Sequence, residues 1–279
     1  YYVNTMAYHM LGYTREEFIE KVQDGWSRFV DIDLRTVMRE HHEEILTGES
    51  FELTAQTETK DGNKKWLSFR VMVSMDVISS QLKPVSYITI TDVTEKVEKN
   101  RRYAREREYL RDCAARDSMT RLLNRGTMED RIKEELESVA EGQNYAYIAI
   151  DLDNFKEIND TKGHLFGDSV MTEAARCIAG VFDSQDMVGR IGGDEFLVFS
   201  KQLSGREEIM KRGRQLIEDI ASLPSVKKSG SKLSCSIGAA VYPADGSTYE
   251  QLFLKADMAL YAGKNWGKGR CVVYDPSLR

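Results

Sequence analysis

A run of eighteen residues, 95–112, divides this chain: twelve of them are charged, both signs are mixed, and neither Gly nor Pro occurs. Such a stretch cannot bury an apolar face of its own and reads as a solvent-laced helix. The 279-residue chain is therefore expected to fold as two units of ordinary domain size, one on each side. Tyr103, Leu110 and Ala114 form a thin apolar seam, but Asn100 and Arg107 stand where a heptad wants apolar residues. A two-stranded coiled coil and a solitary linker helix both fit this pattern.

The composition, 41% hydrophobic and 30% charged, is that of a globular protein. A net charge of -6 argues against a broad nucleic-acid or membrane-surface footprint, although a few placed cations and a metal suffice to bind a nucleotide. No apolar run approaches the roughly 20 residues of a membrane helix, and no signal-peptide pattern appears. The expectation is a cytoplasmic segment with no membrane or nucleic-acid contact. Its start at Tyr1 rather than Met suggests a fragment, with upstream segments that could carry a membrane anchor. Cys113, Cys177, Cys235 and Cys271 are far apart and predict reduced, buried thiols.

The N-terminal part reads as a small α+β unit. Helical spacing covers 5–11, 14–22 and 33–47, and strand-like stretches follow at 51–57, 65–73 and 85–90. Asp61-Gly62 predicts a hairpin between the first two strands, and Trp66, Ser68 and Arg70 alternate with Leu67, Phe69 and Val71. Beyond residue 117 strands are expected at 145–150, 187–191, 196–199, 233–241 and 271–274. Helices are expected at 167–182, 207–223 and 249–264. That alternation, with a hairpin included, predicts an α+β sandwich of helices on a central sheet.

Two segments carry candidate chemistry. In Ile150-Asp151-Leu152-Asp153-Asn154-Phe155-Lys156 an apolar strand ends in a carboxylate, a rigid mount for a Mg²⁺ ligand or simply a turn aspartate. In Arg190-Ile191-Gly192-Gly193-Asp194-Glu195-Phe196 two strands flank a glycine pair that suits a tight hairpin and lets a ligand approach the backbone. Asp194 and Glu195 are expected on opposite faces, so that one of them shares a metal with Asp151.

Taken together, these segments resemble the GGDEF family, whose signature Gly192–Phe196 spells out. Asp117-Ser118-Met119-Thr120-Arg121-Leu122-Leu123-Asn124-Arg125 resembles the family's opening motif, with Met119 for the usual Leu. Residues 151–168 resemble its central Asp-x-Asp and Gly-His-x-x-Gly-Asp stretch, and Tyr261-Ala262-Gly263-Lys264-Asn265-Trp266-Gly267-Lys268 its closing motif. The resemblance covers 117–275. It implies a fold like the palm of nucleotide cyclases and polymerases, and a diguanylate cyclase that joins two GTP into cyclic di-GMP. It further implies Mg²⁺, with Mn²⁺ possible, held by Asp151, the Leu152 carbonyl, Asp194 and Glu195. Asp194 is the candidate base, with Glu195 in support. Asn159 and Asp168 read guanine, whose two Watson–Crick N–H donors a carboxylate accepts. Phe155, Lys156, Gly192, Gly193 and His164 contact the nucleotide, though His164 fits a packing role equally well. Lys264 and Lys268 neutralise phosphates or are solvated helix-end lysines. Each domain holds one GTP, so the working unit is a two-fold dimer.

Residues 1–94 resemble, more loosely, a PAS sensor domain. Tyr2-Val3-Asn4, Met10 to Phe18, Asp61-Gly62, Trp66 and Thr91-Asp92-Val93-Thr94-Glu95 carry the likeness. The expected organisation is a PAS sensor at 1–94, a signalling helix at 95–116 through which the chain dimerises, and the GGDEF domain at 117–279. The sensor's ligand is unknown. His41-His42 suggest a haem or metal, or solvated histidines on a polar helix. One departure bears on regulation. The family's Arg-x-x-Asp inhibitory site becomes Asp183-Ser184-Gln185-Asp186, which predicts weak or absent product inhibition. Gly263 and Gly269 are milder departures. The alternative to an active cyclase is a silent GGDEF module acting as a nucleotide-binding switch or scaffold.

Overall fold

The computed structural model describes residues 4–23, 34–78, 81–140, 142–201, 203 and 205–278. The chain is α+β and separates into two compact units, 1–108 and 109–279. In the first, α1 (Thr5–His9) and α2 (Arg15–Gln23) precede α3 (Leu34–Glu40) and α4 (His42–Thr47). The helix expected over 33–47 is thus two, and its first residue, Asp33, lies outside the described residues. At the break, His41 takes a non-helical φ of -109°.

Strands β1 (Phe51–Glu58), β2 (Lys64–Ile78) and β3 (Gln81–Asp92) form an antiparallel sheet in chain order. Its alternation follows the sequence. Leu67 and Phe69 pack with Leu11, Tyr13, Phe18, Val22 and Ala55 in one apolar cluster. The opposite face is partly covered too: Trp66 lies under the Arg101 guanidinium at 4.5 Å, and Ser68 donates to Glu52 Oε1 at 2.5 Å. The Asp61-Gly62 turn lies in a five-residue loop closed by Thr59 N–H on the Asn63 carbonyl at 2.8 Å. His42 is exposed, whereas His41 is half-buried. The His41 ring stacks on Phe51 at 4.3 Å and contacts Glu44 Oε1 at 3.3 Å. Helix α5 (Thr94–Ala115) covers the charged run and buries no residue.

The second unit has a six-stranded sheet, ordered β4-β6-β7-β5-β8-β9. Its members are β4 (Leu123–Asn124), β5 (Tyr145–Asp153), β6 (Met187–Gly192), β7 (Glu195–Ser200), β8 (Ser234–Tyr242) and β9 (Cys271–Val273). β4 pairs β6 and β9 pairs β8 in parallel, and the other pairs are antiparallel. Helices α7 (Phe155–Lys162), α8 (His164–Val181), α9 (Arg206–Ala221) and α10 (Pro224–Ser229) complete the unit with α6 (Arg125–Glu137) and α11 (Tyr249–Asn265). Side chains alternate along β5. Ala146, Ile148, Ile150 and Leu152 pack on one face with Val170, Ala174 and Ile178 of α8 and Leu216 of α9. Tyr145 and Tyr147 pack on the other with Met128 and Ile132 of α6 and Leu252 and Ala256 of α11. Burial on both faces explains why β5 reads as a continuous apolar run.

Helix α6 was not evident from spacing, because Met128 and Ile132 alone are buried in a polar segment. Its one clear signal is Asn124, whose Oδ1 caps it by accepting from Thr127 N at 3.0 Å. Cys235 and Cys271 are buried, but Cys113 and Cys177 are only half-buried, and all four are free. Burial raises the Cys177 thiol pKa to about 11 and that of Cys271 to about 12.

Candidate functional site

The site forms where β5 runs out beside the β6–β7 hairpin. The register sets Asp151 directly opposite Glu195 on β7, and Leu152 N–H donates to the Asp194 carbonyl at 3.1 Å. Asp151 has only 8% of its surface exposed. Burial pushes its carboxyl above the ordinary carboxylate range. Lys264 opposes that shift, while Asp194 and Asp153 reinforce it. Among the expected pair of acids, Asp194 sits half-buried in the turn and Glu195 is exposed at the head of β7. Of the two hairpin glycines, only Gly193 has a left-handed φ, +48°. A Cβ on either would meet nothing within 4 Å, so the hairpin backbone is open to a ligand.

A cavity of about 290 Å³ opens next to it. It is lined by Met119, Phe155, Lys156, Asn159, Asp168, Met171, Arg190, Gly193 and Asp194. The structure therefore gathers Phe155, Lys156, Asn159, Asp168, Gly193 and Asp194 around one space. His164 is not among the lining residues. It opens α8 on the exposed surface. Asn159 is held by close packing, since a Cβ on Gly167 would lie 1.8 Å from Asn159 Oδ1.

Both lysines of the closing motif meet oxygens of the β5 end. Lys264 Nζ pairs with Asp151 Oδ2 at 2.7 Å, with side-chain exposures of 34% and 12%. Lys268 Nζ donates to Asn154 Oδ1 at 2.7 Å. Asn154 itself takes a left-handed φ of 56° just ahead of α7.

Several residues had no role assigned from sequence. Asp153, 3% exposed, accepts from Ser236 Oγ at 2.8 Å and Gly269 N at 3.0 Å, which fastens β5 to the turn after α11. Arg190 donates to the Gly193 carbonyl through Nε at 3.0 Å and Nη2 at 2.8 Å, and through Nη1 to Asp117 Oδ1 at 3.2 Å. This clamp ties the hairpin to the 117–120 turn. Burial raises the Asp117 carboxyl pKa, but hydrogen bonds from the Thr120 hydroxyl and amide and from Arg190 outweigh it and hold the pKa below its usual value. The signal for Arg190 was an arginine inside a strand, which requires a partner when partly buried. For Asp153 it was the two-residue spacing that puts it on the Asp151 face.

The donor chemistry suits Mg²⁺. Asp151, Asp194, Glu195 and the Leu152 carbonyl are all hard oxygen donors, and the crowded carboxylates already attract the Lys264 ammonium as a stand-in cation. Among the described residues no three His, Cys, Asp or Glu side chains converge as a closed metal cage.

Residues 114–270 match the family model described as "Diguanylate cyclase, GGDEF domain", and residues 1–84 match that of the PAS fold. An uncharacterised signalling protein of Caulobacter vibrioides is 32% identical over 231 residues, covering 81% of this chain and 28% of that protein. Diguanylate cyclase TpbB of Pseudomonas aeruginosa is 37% identical over 159 residues, covering 56% of this chain and 36% of TpbB. The chain thus spans little more than a third of such relatives at most. The solved coiled coil and GGDEF domain of DgcB from Caulobacter crescentus, in complex with c-di-GMP, superposes with a TM-score of 0.59 at 24% identity. It covers 65% of this chain and 96% of that one, and shows the shared fold.

Proposed function

Because the chain belongs to the GGDEF family of diguanylate cyclases, we propose that it condenses two GTP into cyclic di-GMP, releasing pyrophosphate, under control of its PAS unit. The observation that carries this reading is the cavity joining Asn159 and Asp168 to Gly193 and Asp194, beside the buried Asp151. Asp168 accepts the two Watson–Crick N–H groups of guanine, and Asn159, fixed against Gly167, supplies the complementary amide. Phe155 and Met171 line the cavity on its apolar side, and the open Gly192-Gly193 backbone admits the phosphates.

Asp151, the Leu152 carbonyl, Asp194 and Glu195 would hold Mg²⁺ or Mn²⁺, which supplies charge neutralisation on the triphosphate. The 3′-hydroxyl of one GTP attacks the α-phosphorus of the other, its proton passes to Asp194, and pyrophosphate leaves. Repeating the step in the opposite sense closes the ring. Lys264 and Lys268, next to Asp151 and Asn154, would neutralise the phosphates. One domain holds one GTP, so two copies must face each other, and the exposed α5 helix is the proposed dimerisation and signalling element, with Tyr103 and Leu110 outward. On this reading the sensor occupies 1–94, the signalling helix 95–116 and the cyclase 117–279.

Incubation with GTP and Mg²⁺, followed by chromatographic separation of nucleotides, tests the proposal. Cyclic di-GMP from a verified dimer is expected. Its complete absence from such a dimer would leave a nucleotide-binding switch or scaffold instead.

A further inference from the structure

We propose that Lys264 gates the metal position: its ammonium holds the Asp151 carboxylate and yields it only when a divalent cation arrives together with a triphosphate. The inference deepens the cyclase reading and rests on its assignment of Asp151 to the metal. Lys264 Nζ lies 2.7 Å from Asp151 Oδ2, on the carboxylate that the cyclase reading assigns to the metal. Asp151 is buried at the end of β5 in a field that Asp194 and Asp153 make more negative, so a positive partner is strongly favoured.

The backbone around the pair is fixed. β5 is paired on both sides, by β7 and β8. The turn after α11 is fastened by Gly269 N on Asp153 Oδ2 at 3.0 Å and by Lys268 Nζ on Asn154 Oδ1 at 2.7 Å. What remains movable is the four-carbon stem of Lys264, a flexible arm with a compact charge. A divalent cation held by the Asp151 carboxylate would repel an ammonium beside it, and a partly buried site screens that repulsion less than water does. The triphosphate offers the displaced ammonium a new anionic partner. A divalent cation alone therefore binds weakly, and cation and nucleotide enter together.

The test measures Mn²⁺ binding to nucleotide-free protein, from the electron paramagnetic resonance signal of free Mn²⁺. Wild type is compared with Lys264→Met, with Lys264→Gln as a second, differently shaped variant, and with Lys264→Met/Asp151→Asn. Loss of one positive charge at this distance is expected to tighten Mn²⁺ binding by about tenfold or more, and the double variant is expected to abolish the gain. A lysine that serves only the phosphates would leave Mn²⁺ affinity without nucleotide unchanged, and that result in both folded single variants overturns the gate. Product formation by wild type is read separately. Cyclic di-GMP synthesis with unchanged Mn²⁺ affinity in the variants removes the gate and keeps the cyclase. Tighter Mn²⁺ binding in the variants with no synthesis by the wild-type dimer keeps the gate and removes the cyclase.

Discussion

The two sheets of this protein are built for different work. The three-stranded sheet of the N-terminal unit gathers its apolar cluster on one face, around Leu67 and Phe69, and its ion pairs, such as Lys60–Glu17 and Lys65–Asp92, stay substantially exposed. The six-stranded sheet is covered on both faces, and its central strand carries Asp151 and Asp153 to a buried end. A carboxylate is costly to bury unless cations and donors meet it, and here Lys264, Ser236 and the Gly269 amide do so. Double coverage thus provides both the rigidity and the low dielectric that positioned charge chemistry needs. The three-stranded sheet buries a threonine and a serine but no acid among the described residues.

The strongest way to break this contrast is Asp194→Ala. Turnover is expected to fall by about 10³-fold or more while the melting profile stays close to wild type, because Asp194 sits half-buried in a turn. Near-normal synthesis of cyclic di-GMP would show that the chemistry is elsewhere. Next in size is Leu67→Ala, which empties a fully buried position of the thin sheet. A loss of about 2–4 kcal/mol is expected in urea unfolding of the N-terminal unit, with the transition of the second unit unmoved. A shift of both transitions by the same amount would mean the sheets do not differ in the way described.

A smaller effect sharpens the picture within the second unit. Gly167→Ala puts a methyl 1.8 Å from Asn159 Oδ1, so the amide must swing away while the fold persists. The KM for GTP is expected to rise about tenfold with the circular-dichroism spectrum unchanged. An unaltered KM would take Asn159 out of nucleotide recognition. The smallest expected effect is none: micromolar cyclic di-GMP added to the assay should leave the rate unchanged. Asp186 is already engaged by the Asp183 amide at 3.1 Å and the Lys201 amide at 3.0 Å, and no arginine occupies position 183 to grip a phosphate. Strong non-competitive inhibition would refute this.

Much of this was legible in advance. The charged run without Gly or Pro became α5, the alternation of 65–71 became the two faces of β2, and the apolar run 145–150 became the doubly covered β5. Helices held by few buried residues, such as α6, were not legible, because Met128 and Ile132 make too narrow a stripe in a polar segment. Nor were long-range partners. Lys264 meets Asp151 across 113 positions, from 151 to 264, and Asp153 meets Gly269 across 116. His164 stands in the motif but outside the cavity lining.

By itself the sequence determined the family signature and most of the local elements on which its residues ride, because turn chemistry, side-chain period and charge act over a few residues. Only the tertiary structure decided which of the neighbouring acids faces which cation. That choice depends on strand register and on how the turn after α11 meets the end of β5, and both are set by packing between segments distant in the sequence.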